Sequence, residues 1–129
     1  MFTTVAIGTE TIRTSNEIAR VLEMGRRYRR PSVTVFVLHR DIDPLPATRI
    51  AYIAAKRLGN AVVRNRNKRI LRVAWQQCYP QAEKAGVLSG NDILLVANRQ
   101  TASAGAQVIN SELEALFGSR KFATRDLVQ

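Results

Sequence analysis

Between Lys56 and Arg72 the chain carries seven basic side chains and no acidic one, and its basic and apolar residues alternate with the spacing of a helix. Stepping along a helix from Asn60 puts Arg64, Asn65, Lys68, Arg69 and Arg72 within one arc of roughly 140°. Val63, Ile70, Leu71, Ala74 and Cys78 gather on the opposing side. One side of such a helix can bury while the other stays hydrated and cationic. Arg66 projects away from the main arc and can reach a different phosphate or strand. The bland alternative is a solvated helix whose charges only keep it soluble. Ordinary exposed helices, however, mix signs to gain i,i+4 pairs, and this one does not.

The rest of the composition points the same way. The chain has 129 residues, the size of one domain, with a formal net charge of +10. That excess makes nucleic acid the expected partner, with an anionic membrane surface second. The 16 arginines against 4 lysines favour phosphate, because the planar guanidinium matches its oxygens in a fork and also stacks on bases. No run of about 18 apolar residues exists, so no membrane span is expected. The first eight residues lack the basic start and apolar stretch of a secretory signal. A single cysteine, Cys78, on a core-facing position, suits a reducing cytoplasm.

Local patterns predict the elements. Residues 1–13 read as an edge strand or an ordered tail. Thr14 or Ser15 caps a helix from Asn16 to Met24, with Ile18, Val21 and Leu22 on one side and Gly25 as its stop. Residues 26–31 read as a basic loop around Tyr28. Residues 32–39, rich in Val, Thr and Phe, alternate as a strand, and 41–46, with two prolines, form a turn. A second strand covers 48–56, and Gly59 separates it from the basic helix, which Pro80 ends. The polar stretch 81–91 holds at most a turn of helix. A buried strand spans Asp92 to Asn98, and a last helix runs from Ser103 to Phe117, burying Val108, Ile109, Leu113 and Leu116 or Phe117. Residues 1–118 form a single domain, followed by a basic tail at 119–129.

Material for catalysis is thin. His39 is the only histidine, and it stands at a strand end, where a structural role is expected. Asp41 with Asp43, and Glu112 with Glu114, do not resemble the converging carboxylates of a two-metal nuclease. The glycines form no phosphate-binding motif. Trp75, on the flank of the basic helix, is expected in the core ahead of stacking on a base. The residues describe a binding module with no catalytic side chains of its own.

The order of residues inside the basic run is more specific. Lys56-Arg57-Leu58-Gly59-Asn60-Ala61-Val62-Val63-Arg64-Asn65-Arg66-Asn67-Lys68-Arg69 closely resembles the signature of the protein subunit of bacterial ribonuclease P, and the likeness extends over roughly residues 12–117. The resemblance implies an α/β (α+β) two-layer sandwich of the ribosomal protein S5 domain 2-like kind. In it, three helices pack on a central mixed sheet of about four strands, with a left-handed β-α-β crossover that runs against the usual hand. It implies a protein that binds the catalytic RNA subunit of ribonuclease P and the 5′ leader of precursor tRNA, promoting endonucleolytic removal of the leader. Hydrolysis would fall to Mg2+ held mainly by the RNA. On this resemblance Lys56, Arg57, Asn60, Arg64, Asn65, Arg66, Lys68 and Arg69 contact RNA, and Arg49 and Arg72 join that set. Ile18, Leu22 and Phe36 line a cleft for the single-stranded leader, where aromatic faces stack on unpaired bases. A core role for Phe36 is the alternative.

The chain departs from the family pattern in places. Ile18 and Leu22 stand where two phenylalanines are frequent, Ala51 where the second strand commonly has glycine, and the basic N-terminal stretch is reduced to Arg13. Arg26, Arg27, Arg29 and Arg30 compensate in charge. A ribosomal or regulatory RNA-binding protein is the rival reading, although it gives no reason for Lys-Arg-x-Gly-Asn ahead of the Arg-Asn-Arg helix. A weak homodimer of the free protein stays open. Ten excess positive charges repel one another at low salt, so anions should stabilise the fold. The midpoint of thermal unfolding is expected to rise with sulfate more than with chloride at matched ionic strength.

Overall fold

The computed structural model describes residues 9–42, 47–84 and 90–118, so the expectations for 1–8, for most of the Pro-rich turn and for the tail at 119–129 lie outside the described residues. In chain order the elements are β1 (Thr9–Thr11), α1 (Ser15–Met24), β2 (Arg26–Arg29), β3 (Val33–His39), β4 (Thr48–Ile53), a 3-10 turn (Lys56–Leu58), α2 (Ala61–Lys84), β5 (Asn91–Ala97) and α3 (Thr101–Phe117). The strands form one mixed sheet in the order β1-β4-β5-β3-β2. β4 lies parallel to both β1 and β5, whereas β3 is antiparallel to β5 and to β2. Parallel neighbours cannot be joined by a tight turn, so α2 serves as the crossover between β4 and β5.

Alternation along the strands assigns two apolar faces. Val33, Val35, Val37, Ile50, Ile93, Leu95 and Ala97 point to the face covered by α2 and α3, which contribute Leu71, Ala74, Trp75, Cys78, Ile109, Leu113, Leu116 and Phe117 to the same core. Each large side chain buried there contributes about 1.5–3 kcal/mol. Trp75 is central. Its ring lies 5.4 Å from Tyr79 and edge-on to Phe117 at 6.0 Å, so it is a core residue as expected. The opposite face carries a smaller cluster of Ile12, Val21, Ala51 and Leu94 beneath α1.

The fold expected from the sequence holds, and the structure corrects several details. The sheet has five strands rather than about four, because Arg26–Arg29, expected as a loop, pairs with β3 as an edge strand. An Arg-Arg-Tyr-Arg segment has almost no strand propensity of its own, and the hydrogen bonds of β3 supply the order. Pro80 does not end α2, which continues to Lys84. The loss of one backbone donor is offset by the burial of Tyr79 and Ala82 on either side of it. Val63 and Val108, expected on buried sides of their helices, are exposed at 37% and 47%. For Val108 the reason is local: the buried stripe of α3 is Ile109, Leu113 and Leu116, and Val108 stands one residue, about 100°, off it.

Burial pushes the Cys78 thiol up to about 12, with Glu114 adding to the shift. A thiol so placed holds almost no reactive thiolate at neutral pH. Iodoacetamide is expected to leave Cys78 unmodified in the folded protein and to label it fully in urea, as read by mass spectrometry.

Candidate RNA interface

The basic helix begins at a tightly specified turn. After β4 the backbone makes the 3-10 turn Lys56–Leu58 and reaches Gly59 at φ 144°, ψ −166°. A Cβ there would stand 2.9 Å from the Cβ of Val63, so glycine is required twice over, by backbone conformation and by space. Asn60 then caps α2: its Oδ1 accepts from the Val63 N–H at 3.0 Å, and its carbonyl accepts from the Arg64 N–H at 2.9 Å. Asn60 therefore shapes the interface through the backbone as well as through any contact of its own.

Within α2 the inward anchor is Asn67, which is 3% exposed and donates from Nδ2 to the Val63 carbonyl at 2.9 Å. Sequence reasoning missed this role, since periodicity alone does not send a polar side chain inward. With Asn67, Leu71, Ala74 and Trp75 buried, Asn65, Arg66, Arg69 and Arg72 are exposed, while Arg64 and Lys68 are partly covered. The Arg64 Nε is buried without a hydrogen-bond partner among the described residues. The Arg72 guanidinium lies over the Tyr52 ring, 5.1 Å from its centroid, which holds that cation at the seam between α2 and β4. Lys56 and Arg57 lie on the 3-10 turn, and both are exposed. The expected basic face is thus assembled from Lys56 to Arg72, with no acidic side chain among its members.

Arg49 does not belong to that face. It sits on β4 on the α1 side of the sheet, and its guanidinium is occupied. Nε and Nη2 donate to the two Asp92 oxygens at 2.8 and 2.7 Å, and Nη1 donates to Glu17 at 2.7 Å. Arg40 joins the cluster with its Nε 2.8 Å from Asp92. Asp92 is nearly inaccessible, so the charge it carries must be paired, and two arginines do this. Glu17 in turn accepts from the Thr14 hydroxyl at 3.0 Å, while the Thr14 Oγ1 accepts from the Glu17 N–H at 3.2 Å, in the Thr-x-x-Glu arrangement that caps α1. This reciprocal cap is written in the sequence as Thr14 followed three residues later by Glu17. The Arg49 set therefore fastens α1 to the sheet, a structural role that the sequence-based grouping of Arg49 with the RNA contacts did not include.

On that same sheet face, α1 covers only part of the apolar surface. Ile18 and Phe36 pack partly buried against the cluster of Ile12, Val21, Ala51 and Leu94, and Leu22, on the same helix, is exposed. Gly25 lets the end of α1 approach β3, since a Cβ would stand 2.6 Å from the Val21 carbonyl and 3.0 Å from that of Val37. The structure thus brings Ile18 and Phe36 to one face beside α1, with Phe36 serving the small core as well. His39 has a structural partner, its Nδ1 lying 3.0 Å from Asn91 Oδ1. Among the described residues no group of three or more His, Cys, Asp or Glu is arranged to hold a metal, so the side chains here do not fit a protein-held ion. No described helix is long and apolar enough to cross a membrane.

A small α+β domain with a capped helix whose basic face is free of acids on one side, and a half-covered sheet on the other, suits RNA binding. The family model for ribonuclease P matches residues 8–121, and the chain belongs to the family of ribonuclease P protein components. The chain is 38% identical over 85 residues to the ribonuclease P protein component of Gluconacetobacter diazotrophicus, covering 66% of this chain and 68% of that one. The corresponding protein of Bacillus cereus (strain B4264) is 29% identical over 106 residues, covering 82% and 86% of the two chains. The solved ribonuclease P protein of Staphylococcus aureus shares the fold, with a TM-score of 0.63 at 22% identity over 84% of this chain and 92% of that one.

The Arg49–Glu17 hydrogen bond comes first among the causes that hold the Glu17 carboxyl below its ordinary 4.5, with the Thr14 hydroxyl second. Its contribution to stability is therefore present above pH 4.5 and lost as pH falls through the depressed folded value. Glu17→Gln is expected to lower stability at neutral pH and to change it little in acid, so that the acid limb of the stability profile flattens. Arg49→Ala, which removes one of the two cations on buried Asp92, is expected to cost about 3 kcal/mol in urea unfolding.

Proposed function

We propose that this chain is the protein subunit of a ribonuclease P in which the RNA subunit performs the cut and the protein binds, positions and neutralises. Family membership makes RNA the partner and tRNA processing the activity, and the rival reading as a ribosomal or regulatory protein is not favoured. The observation that carries the finer reading is the acid-free face of α2, fixed in phase by Asn67, Leu71 and Trp75 and presented by the Gly59–Asn60 turn. Arg64, Asn65, Arg66, Lys68 and Arg69 would take backbone phosphates of the catalytic RNA, with Lys56, Arg57 and Asn60 at the start of the same surface. Arg72, held over Tyr52, extends it. Each phosphate neutralised releases counterions, and bidentate arginine contacts add direction.

The half-covered face by Ile18, Leu22 and Phe36 would hold the single-stranded 5′ leader of precursor tRNA. Ile18 and Leu22 supply apolar contact rather than stacking, which leaves Phe36 as the aromatic surface. Mg2+ would be held by the RNA, since hydrolysis of a phosphodiester calls for metal-held oxygens that the described side chains do not assemble.

The purified protein alone is expected to leave precursor tRNA intact, and to restore 5′ maturation by a bacterial catalytic RNA at low Mg2+ and physiological salt. Cleavage by the protein alone would sink this reading, as would failure to stimulate a compatible RNA. Arg66→Ala is expected to weaken catalytic-RNA affinity about tenfold, a loss of about 1.4 kcal/mol. Its circular dichroism and unfolding midpoint should stay unchanged.

A further inference from the structure

We propose that the turn joining β2 to β3 carries a further RNA contact, in which Arg29 and Arg30, with Arg57 across the groove, bind the phosphodiester backbone of single-stranded RNA. The proposal rests on the reading of the chain as a leader-binding subunit and extends the leader track to the far edge of the sheet.

Three observations carry it. First, register sets direction. Arg27 pairs with Phe36 and Arg29 with Thr34, and paired residues of antiparallel strands project to the same side. Arg27 and Arg29 therefore stand on the half-covered face that carries Phe36, away from α2 and α3. Second, a depression of about 510 Å³ lies at that end of the sheet, lined by Arg29, Arg30, Pro31, Thr34, Arg57 and Asn98. Three of these carry guanidinium groups and none a carboxylate. The contrast with Arg40 and Arg49 is direct, because both of those are paired to Asp92. A second depression of about 320 Å³ shares Arg57 and Asn98 and adds Arg99, running towards the start of α2. The two adjoin at Arg57 and Asn98, and between them they are lined by four arginines and no carboxylate.

Third, the turn is held in place before any ligand arrives. The Ser32 N–H donates to Glu112 Oε1 at 3.0 Å, and the Thr101 hydroxyl donates to the Ser32 carbonyl at 2.8 Å. Asn98 Nδ2 donates to the Pro31 carbonyl at 3.1 Å, and the Arg30 N–H donates to the Val33 carbonyl at 2.9 Å. Arg30 Nη1 also donates to the Arg29 carbonyl at 2.8 Å, which limits the freedom of that side chain. Glu112, a nearby acid, is spent on backbone from the α3 side of the sheet and does not line the depression. Less entropy is therefore lost when an anion binds.

The occupant follows from what stands beside the cations. Phe36, partly buried, is two residues, about 7 Å, along β3 from Thr34 on the same face. A cationic groove next to an aromatic face suits an unpaired nucleic acid strand, whose phosphates and bases need those two surfaces in turn. A rigid duplex would present phosphates alone.

The test uses a fluorescein-labelled single-stranded oligoribonucleotide and, separately, the catalytic RNA, each titrated with the full chain across a salt series. The double variant Arg29→Ala/Arg30→Ala is expected to bind the single strand about tenfold more weakly. The slope of log affinity against log salt should become shallower by about 0.7 for each phosphate that the variant no longer neutralises. Its affinity for the catalytic RNA should change far less. Unchanged single-strand binding overturns the proposal, and so does an equal loss towards both RNAs, which would reflect net charge alone. In the unsubstituted protein, the Arg29 and Arg30 side-chain N–H resonances should shift on adding the oligonucleotide, and their failure to move overturns it without any variant. These readouts do not require cleavage, so a failure to stimulate a catalytic RNA would be seen separately.

Discussion

Burial of one side of α2 against the sheet is the constraint on which the rest of the structure depends. Leu71, Ala74, Trp75, Cys78 and Tyr79 lock into the core formed with β3, β4, β5 and α3, and they leave the helix one rotational setting. Asn67 continues that inward stripe one turn earlier, where it meets backbone instead of apolar side chains. A helix held this way keeps Arg66 and Arg69 in solvent and leaves Arg64 and Arg72 at its flanks. The cationic face is thus a consequence of core packing, and its stiffness comes from residues that never touch a ligand.

The arginines of this chain divide by what faces them. Arg40 and Arg49 converge on Asp92, which the β5 register places beside Arg49 in the α1-side layer. Leaving that buried carboxylate unpaired would be costly, so the two cations are committed to structure. Burial lowers the Arg40 pKa, whereas the hydrogen bonds to Asp92 and Glu17 raise that of Arg49. Among the described residues the arginines of α2 and of the β2–β3 turn face no such carboxylate, and their charge is left to act on solution and on polyanions. Identical side chains thereby do opposite jobs, separated by where the acids stand.

Much of this is legible in the chain. The strands at 33–39, 48–53 and 91–97 follow from alternation and β-branched content, α1 from its Thr14 cap and Gly25 stop, and the basic face of α2 from helical spacing. The cleft residues Ile18 and Phe36 are assigned to one surface through family likeness, and the structure brings them together. Other features resist for physical reasons. β2 forms because β3 offers it hydrogen bonds, which a window of Arg-Arg-Tyr-Arg does not reveal. Pro80 reads as a helix stop, yet burial around it outweighs one missing donor. Val108 reads as core by composition, yet it stands one residue off the stripe of Ile109, Leu113 and Leu116 and faces outward.

What the sequence determined by itself was the kind of surface: an acid-free amphipathic run, and a Gly59–Asn60 turn whose backbone and cap admit little else. It determined the family as well, because residue order within 56–69 is far more specific than composition. Only the tertiary structure decided which cations are available. Whether an arginine is free depends on carboxylates tens of residues away, as Arg49 with Asp92 shows, and on how strands pair, as Arg29 opposite Thr34 shows. Electrostatic pairing acts through space, and proximity in space is the one quantity that local sequence patterns do not carry.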